Sequence, residues 1–319
     1  MTRDPRSLSP SRLAWRRFWQ NRAAVLGMAA VAGFFLFALI GAALTWGEHP
    51  VLDPREVRLP DKLKAPLSRP NRDVVPAASL PRLGIYLLGT DELGRDVFAR
   101  MLSGGVVSLS VGFVAVGIAV ALGLFLGGLA GYYGRLRIGV GRLRLLTVDT
   151  LIIALIDVML SFPSFFLILT VVAVLKPSIW NIMIVIGLTS WEGTARFVRA
   201  EILSLREQEF IQAAQAVGAP GGRVILRHLL PNSVAPVLVS ATLGVAGAIL
   251  TESGLSFLGF GVPPPGASWG NILSDGKRYI FDAPWLTAVP GTAILIVVLA
   301  FNLFGEGLRE AFNPKLREG

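Results

Sequence analysis

The chain has 319 residues, of which 53% are hydrophobic and 16% charged, with a mean hydropathy of +0.62. A soluble domain is about one quarter charged, so the long apolar runs place the chain among membrane proteins rather than basic nucleic-acid-binding domains. The lack of cysteine excludes disulfide frameworks, thiolate metal sites and cysteine nucleophiles, and His49 and His228 lie too far apart in sequence to make a metal set.

The N-terminal segment 1–22 carries Arg3, Arg6, Arg12, Arg16, Arg17 and Arg22 against one acid, Asp4. Its stretch WRRFWQNR, 15–22, mixes aromatics and arginines as an interfacial helix does. Residues 23–46 are predicted to form the first transmembrane helix, too long for a signal-peptide core of about 7–15 residues. Residues 47–104 follow as an extracytoplasmic loop, nearly balanced in charge. Residues 105–305 are expected to hold five further spans, at 105–131, 146–175, 178–191, 232–252 and 286–305. The fourth is short for a bilayer that needs about 20 helical residues, so it is expected to borrow residues beyond Glu192. Pro163 marks a kink in the third. The run Val262-Pro-Pro-Pro-Gly predicts a rigid outer turn. Residues 266–281 read as a short helix or re-entrant piece with Trp269 and Tyr279 at interface depth.

This is an all-α membrane protein with six spans and both termini on one side. Loop 132–145 carries Arg135, Arg137, Arg142 and Arg144 and no acid. The positive-inside rule therefore places the N terminus, loop 132–145, loop 192–231 and the tail 306–319 in the cytoplasm. A connector of about 40 residues is long for a compact bundle, and long ordered connectors tend to be functional. Within it, residues 194–217 read as one long helix. Ile211, Ala214 and Val217 lie at i, i+3 and i+6, so one helix face is expected to be covered.

Asp149 and Asp157 lie eight residues apart in span three and share a helix face. An aspartate at mid-membrane costs about 2.5–3.5 kcal/mol on insertion scales. The pair is either a substrate or proton site, or an internal ion pair or helix cap. The second reading is favoured because Arg142 and Arg144 are near Asp149. Glu252 reads as an interface residue where span five ends. Gly123, Gly127 and Gly131, each four apart, clear one face of span two for a close helix neighbour. No GxxxxGK[ST], HExxH or GxSxG sequence occurs, so no nucleotide cradle, zinc site or nucleophile elbow of those kinds is encoded. Six spans, a large polar hairpin and no energy site suggest a pore driven by a partner. The rival is a secondary transporter or channel acting alone, which predicts inverted repeats and midplane charges; no clear repeat is present.

The hairpin QAAQAVGAPGGRVILRHLLPN, 212–232, resembles the EAA loop of ABC-importer permeases. That pattern is EAA, three residues, Gly, nine residues and I-x-L-P. It falls here on Gln212-Ala213-Ala214, Gly218 and His228-Leu229-Leu230-Pro231. Gln replaces Glu, keeping the shape and losing the charge, and His replaces Ile. Four other stretches resemble dipeptide and oligopeptide permeases of the DppC/OppC type: LLGTDELGRDVFARMLSG at 87–104, DVMLSFPSFFL at 157–167, ESGLSFLGFGVPPPGASWG at 252–270 and NLFGEGLREAFNPKLR at 302–317. Ala154 departs from relatives that place an Arg three residues before the aspartate matching Asp157. Residues 47–86 carry no part of the resemblance.

The resemblance implies a type I ABC-importer permease fold in a bacterial or archaeal cell membrane, surrounded by lipid. It implies a subunit without its own ATPase site, moving di- or oligopeptides. Relatives of this type also carry nickel, glutathione or other small solutes. The implied partners are a second homologous permease forming a heterodimer, two cytoplasmic P-loop ATPases that bind ATP and Mg, and an extracytoplasmic substrate-binding protein. A coupling helix is expected over 219–229, with Gln212, Ala213, Ala214, Gly218, Ala219, Pro220, Arg223, Arg227, His228, Leu230 and Pro231 forming the ATPase-coupling surface. No metal or cofactor is expected in the chain itself. Gly218 suits a left-handed helix C-cap, and Pro220 the first turn of the next helix.

Overall fold

The computed structural model describes residues 10–138 and 146–312. Arg3, Asp4, Arg6, Arg142, Arg144 and the end of the tail, 313–319, lie outside the described residues. The rest is an assembly of helices with one small antiparallel ribbon.

Helix α1 (Pro10–Gln20) ends at Asn21, whose side chain accepts a hydrogen bond from Ala24 N–H and starts α2 (Arg22–Thr45). The expected interfacial stretch 15–22 is thus the second half of α1 plus this cap. Trp15 and Trp19 are exposed, while Phe18 is buried edge-on against Phe304. Helix α3 (Val97–Tyr133) begins well before the expected 105. Asp96 caps it by accepting from Phe98 N–H at 2.8 Å, and Arg100 in its first turn is neutralised by the buried carboxylate of Asp91 and by Asp275. The charged turn had read as loop.

After α3, strands β1 (Arg137–Ile138) and β2 (Leu146–Thr147) pair in antiparallel register. Helix α4 (Val148–Leu160) and α5 (Ser164–Val174) meet at a bend of 81°. Pro163 caps α5, and the expected kink is a full break, because proline offers no N–H and disfavours helix in the residue before it. Helix α6 (Ile179–Leu188) has 10 residues, about 15 Å of rise, half a bilayer core. Helix α7 (Glu192–Arg206) continues along the same side of α3. Gly187 meets Ala115 and Ile118, and further on Thr194 meets Gly123, Val198 meets Gly127 and Ile202 meets Gly131.

The expected long helix 194–217 is two helices. The chain turns at Glu207–Gln208, where Gln208 is extended, and resumes as α8 (Glu209–Ala216). Helix α9 (Gly221–Val224) runs through a π-helical turn, Ile225–Leu229, into α10 (Leu230–Phe257). The expected coupling helix and fifth span are therefore continuous. Helix α11 (Trp269–Gly276) and α12 (Trp285–Phe312) complete the chain. Trp269 is fully buried, not at an interface: its indole N–H donates to Met101 O at 3.1 Å and its backbone N–H to Ser108 Oγ at 3.2 Å.

Among the described residues, four helices are long and apolar enough to cross a membrane: α2, α3, the stretch Pro236–Phe257 of α10, and α12. The bent pair α4–α5 passes the same test only when its two helices are counted together, as one broken span or a re-entrant loop. Helix α3 is the axis, packed on α2, α6, α7, α10 and α11, and the main core lies among α3, α6, α10, α11 and α12.

The bundle has two distinct ends. One gathers α1, the last turns of α12, the β ribbon and the hairpin 207–229. The other holds residues 47–96, α11 and the start of α12. Residues 47–96 are more than a loop, since they fold around a polar centre. Asp61 is fully buried and accepts from Tyr86 Oη at 2.7 Å, Asn71 N–H and Lys64 Nζ at 2.7 Å. Burial pushes the Asp61 carboxyl up, but those three donors outweigh it and hold the group below its usual range. Arg100 then joins Asp91 at 2.6 Å to Asp275 of α11 at 2.9 Å, fastening this cap to the bundle.

Candidate functional site: the hairpin and the buried charges

Helix α8 ends in a Schellman turn. Ala219 N–H donates to Ala214 O at 3.1 Å and Gly218 N–H to Gln215 O at 2.9 Å, with Gly218 at φ +83°. Pro220, in extended backbone, caps α9, and Arg223 N–H and Val224 N–H both donate to its carbonyl. Proline fixes φ where no N–H is needed, and glycine supplies the left-handed residue two positions earlier. Gln212 donates from its side-chain amide to Glu207 O at 3.2 Å, closing the α7–α8 turn.

The hairpin is held from inside by Ile211, Val224 and Leu229, packed against Val198 and Ile202 of α7 and Val237 of α10. Gly221 sits directly on Tyr132 and Tyr133 at the end of α3. Val217 is 90% exposed and Leu226 70% exposed. Of Ile211, Ala214 and Val217, expected on one covered face, the chain itself buries Ile211 and half-buries Ala214, while Val217, just past the end of α8, points outward. The outer surface is a shallow hollow lined by Phe210, Ala213, Ala214, Val217, Gly218, Ala219, Pro220, Arg223, Arg227 and His228. Gln212 and Pro231 are exposed beside it, and Leu230 is half-buried. The hollow thus combines exposed apolar groups with Arg223, Arg227 and His228 on a turn fixed by Gly218 and Pro220.

The structure pairs both intramembrane aspartates with α7. Asp149 takes a two-pronged contact from Arg199, Nε to Oδ1 at 2.5 Å and Nη2 to Oδ2 at 2.7 Å. Asp157 pairs with Arg196. Arg142 and Arg144 lie outside the described residues; the partners seen within them are Arg199 and Arg196. They are 50 and 39 residues from the acids they meet, beyond what helical spacing reveals. Arg196, Arg199, Arg100, Asp91 and Asp275 were all missed from sequence. The stretch GTDELGRDVFAR, with acids and arginines at its start, was the available signal for the last set.

Glu252 corrects the expectation of an interface residue. It lies five residues inside the end of α10 and is 0% exposed. Ser256 Oγ donates to it at 2.6 Å and Ser108 Oγ at 3.3 Å, while Ser108 Oγ accepts Trp269 N–H. One carboxyl group thereby links α10, α3 and α11. Gly123, Gly127 and Gly131 all face α7; a Cβ on Gly123 would lie 2.6 Å from Thr194 Cβ. Between α3, α6–α7 and α10 lies a cavity of about 240 Å³ whose polar wall is Ser190, Thr194, Ser240 and Thr251.

Residues 120–318 match the family described as binding-protein-dependent transport system inner membrane component. Residues 9–66 match the N-terminal TM domain of oligopeptide transport permease C. The dipeptide transport system permease protein DppC of Alkalihalophilus pseudofirmus is 40% identical over 311 residues, covering 98% of this chain and 92% of that protein. The protein of the same name from Haemophilus influenzae is 35% identical over 310 residues, covering 97% of this chain and 96% of its own length.

Proposed function

We propose, for a chain that belongs to the binding-protein-dependent transport inner membrane components and within them to the DppC/OppC-type ABC permeases, that it carries di- or oligopeptides across the cell membrane as one pore subunit of an ATP-driven importer. The chain is a multi-pass membrane protein and a non-catalytic subunit. ATP and Mg are bound by partner ATPases in the cytoplasm. One ATPase docks on this hairpin and the other on a second, homologous permease. A binding protein delivers peptide at the opposite end of the bundle.

The hairpin carries this reading. Its exposed Val217 lines a hollow with Arg223, Arg227 and His228, and exposed Leu226 lies on the same hairpin, whose turn is fixed by Gly218 and Pro220. The turn is also mechanically connected. Helix α9 is continuous with α10, and α7 is pressed to α3 along the glycine face. A partner that moves the hairpin therefore tilts α10 and α7 as rods, and these two helices wall the polar cavity beside α3.

The test is peptide uptake into proteoliposomes. With the second permease, the ATPases and an external binding protein, labelled dipeptide should enter only when ATP is supplied to the ATPases. The purified chain alone should bind no nucleotide. Peptide uptake by this chain alone, driven by a proton gradient, would overturn the assignment in favour of a secondary transporter.

A further inference from the structure

The Asp157–Arg196 ion pair stands well along the bundle from its hairpin end. Asp149 lies level with the end of α3, its backbone N–H reaching Gly134 O. Asp157, eight residues further along α4, is about 12 Å deeper at helical rise. Arg196 adjoins Ala195, which packs on Gly123 and Gly127 well inside α3. Yet the side chains of Asp157 and Arg196 are 58% and 48% exposed. Charged groups facing hydrocarbon at such depth are strongly disfavoured, and intramembrane charges turn toward protein or a water-filled cavity. Glu192, one turn before Arg196 on α7, has a buried Oε2 without a hydrogen-bond partner among the described residues.

We propose that the α4–α7 face bearing Asp157 and Arg196 lines the water-filled solute path, and that the pair opens to hold the two charged ends of a free-ended peptide. The proposal rests on the peptide reading above. The ligand carboxylate takes Arg196 and the ligand ammonium takes Asp157, so two charges are exchanged for two and no net charge is left unpaired at depth. An N-acetylated or C-amidated peptide lacks one half of the exchange and leaves one protein charge without its partner.

Two measurements on the intact complex test this. The chain has no cysteine, so Ala154→Cys and Gly193→Cys, exposed positions one turn from Asp157 and Arg196, report water access. Both should react with a charged, water-soluble thiol reagent, and Leu39→Cys on the exposed apolar side of α2 should not. Uptake is then compared for free, N-acetylated and C-amidated dipeptide at saturating loaded binding protein. Asp157→Asn should slow free-dipeptide turnover about tenfold and erase its advantage over the N-acetylated form, with Asp157→Glu restoring both. Arg196→Gln should erase the advantage over the amide. Unreactive cysteines, or preferences unchanged in both variants while uptake persists, would overturn the proposal alone. A wild-type complex that moves no peptide would overturn the peptide reading and this ligand with it.

Discussion

Asp61 shows how a single carboxyl can organise a segment with few apolar residues. It is fully buried, yet three donors converge on it, and Thr90 Oγ1 donates to its backbone carbonyl at 2.5 Å. Its folded-state pKa is below the usual range because Lys64, Tyr86 and Asn71 favour the charged form more than burial opposes it. The stability it lends the cap is therefore complete above its unfolded value, about 3.9. It is lost as pH falls through the lower folded value. The cap, 47–96, should resist an acid-active protease down to about pH 4 and become cleavable below it. Asp61→Asn should remove most of that acid step and destabilise the cap already at pH 7, by about 1–3 kcal/mol. An acid step unchanged in the variant would place the titrating group elsewhere. None of this was legible in sequence, because Asp61, Asn71, Tyr86 and Thr90 are brought together only by the fold.

At the scale of helices, the apolar runs were legible and their ends were not. Residues 23–46 predict α2 to within a residue at each end, and 286–305 predict the start of α12 but not its last seven residues, since hydropathy is a local sum. The start of α3 was missed because Asp96 and Arg100 look like loop until Asp91 and Asp275 neutralise the arginine. The break at Glu207–Gln208 was missed because helical periodicity runs on from Leu205 to Ile211. The glycine face of α3 was legible as a packing signal, though not its partner. That partner is α7, the helix leading into the hairpin, so this seam fixes the angle at which the hairpin leaves the bundle. A Cβ on Gly127 would lie 2.9 Å from Val198 Cβ and even closer to Ala195 O, whereas one on neighbouring Gly128 would meet only Ile202 Cδ1 at 3.8 Å. Gly127→Ala should therefore cost about 1–3 kcal/mol of detergent stability by overpacking, and Gly128→Ala close to nothing. Thermal unfolding of the two variants, measured side by side, checks this. Equal midpoints would mean that the seam is loose.

Across the whole molecule, function is divided between the ends. The cap, with its polar centre and the Asp91–Arg100–Asp275 link, forms a folded platform where delivery is proposed. The hairpin forms the proposed drive surface, and α7 and α10 connect it to the cavity wall. The hairpin's turn was readable in sequence, because Gly218 and Pro220 announce it by local chemistry alone. The outward swing of Val217 and the fusion of α9 with α10 were not, since both depend on where neighbouring helices stop. The central claim is that the left-handed turn at Gly218 sets the pose of an ATPase-docking surface. Open space surrounds Gly218, so a side chain there meets no neighbour and acts only through φ +83°. A β-branched residue in that conformation costs about 1 kcal/mol or more and favours a reshaped turn. The direct measurement is ATPase co-purification and peptide-stimulated hydrolysis for Gly218→Val at matched membrane levels. Gly33→Val, on α2 where a Cβ also meets open space, is the control. The account predicts normal insertion for both, with docking and stimulated hydrolysis lost in Gly218→Val and kept in Gly33→Val. A Gly218→Val chain that docks and couples like the wild type would contradict it.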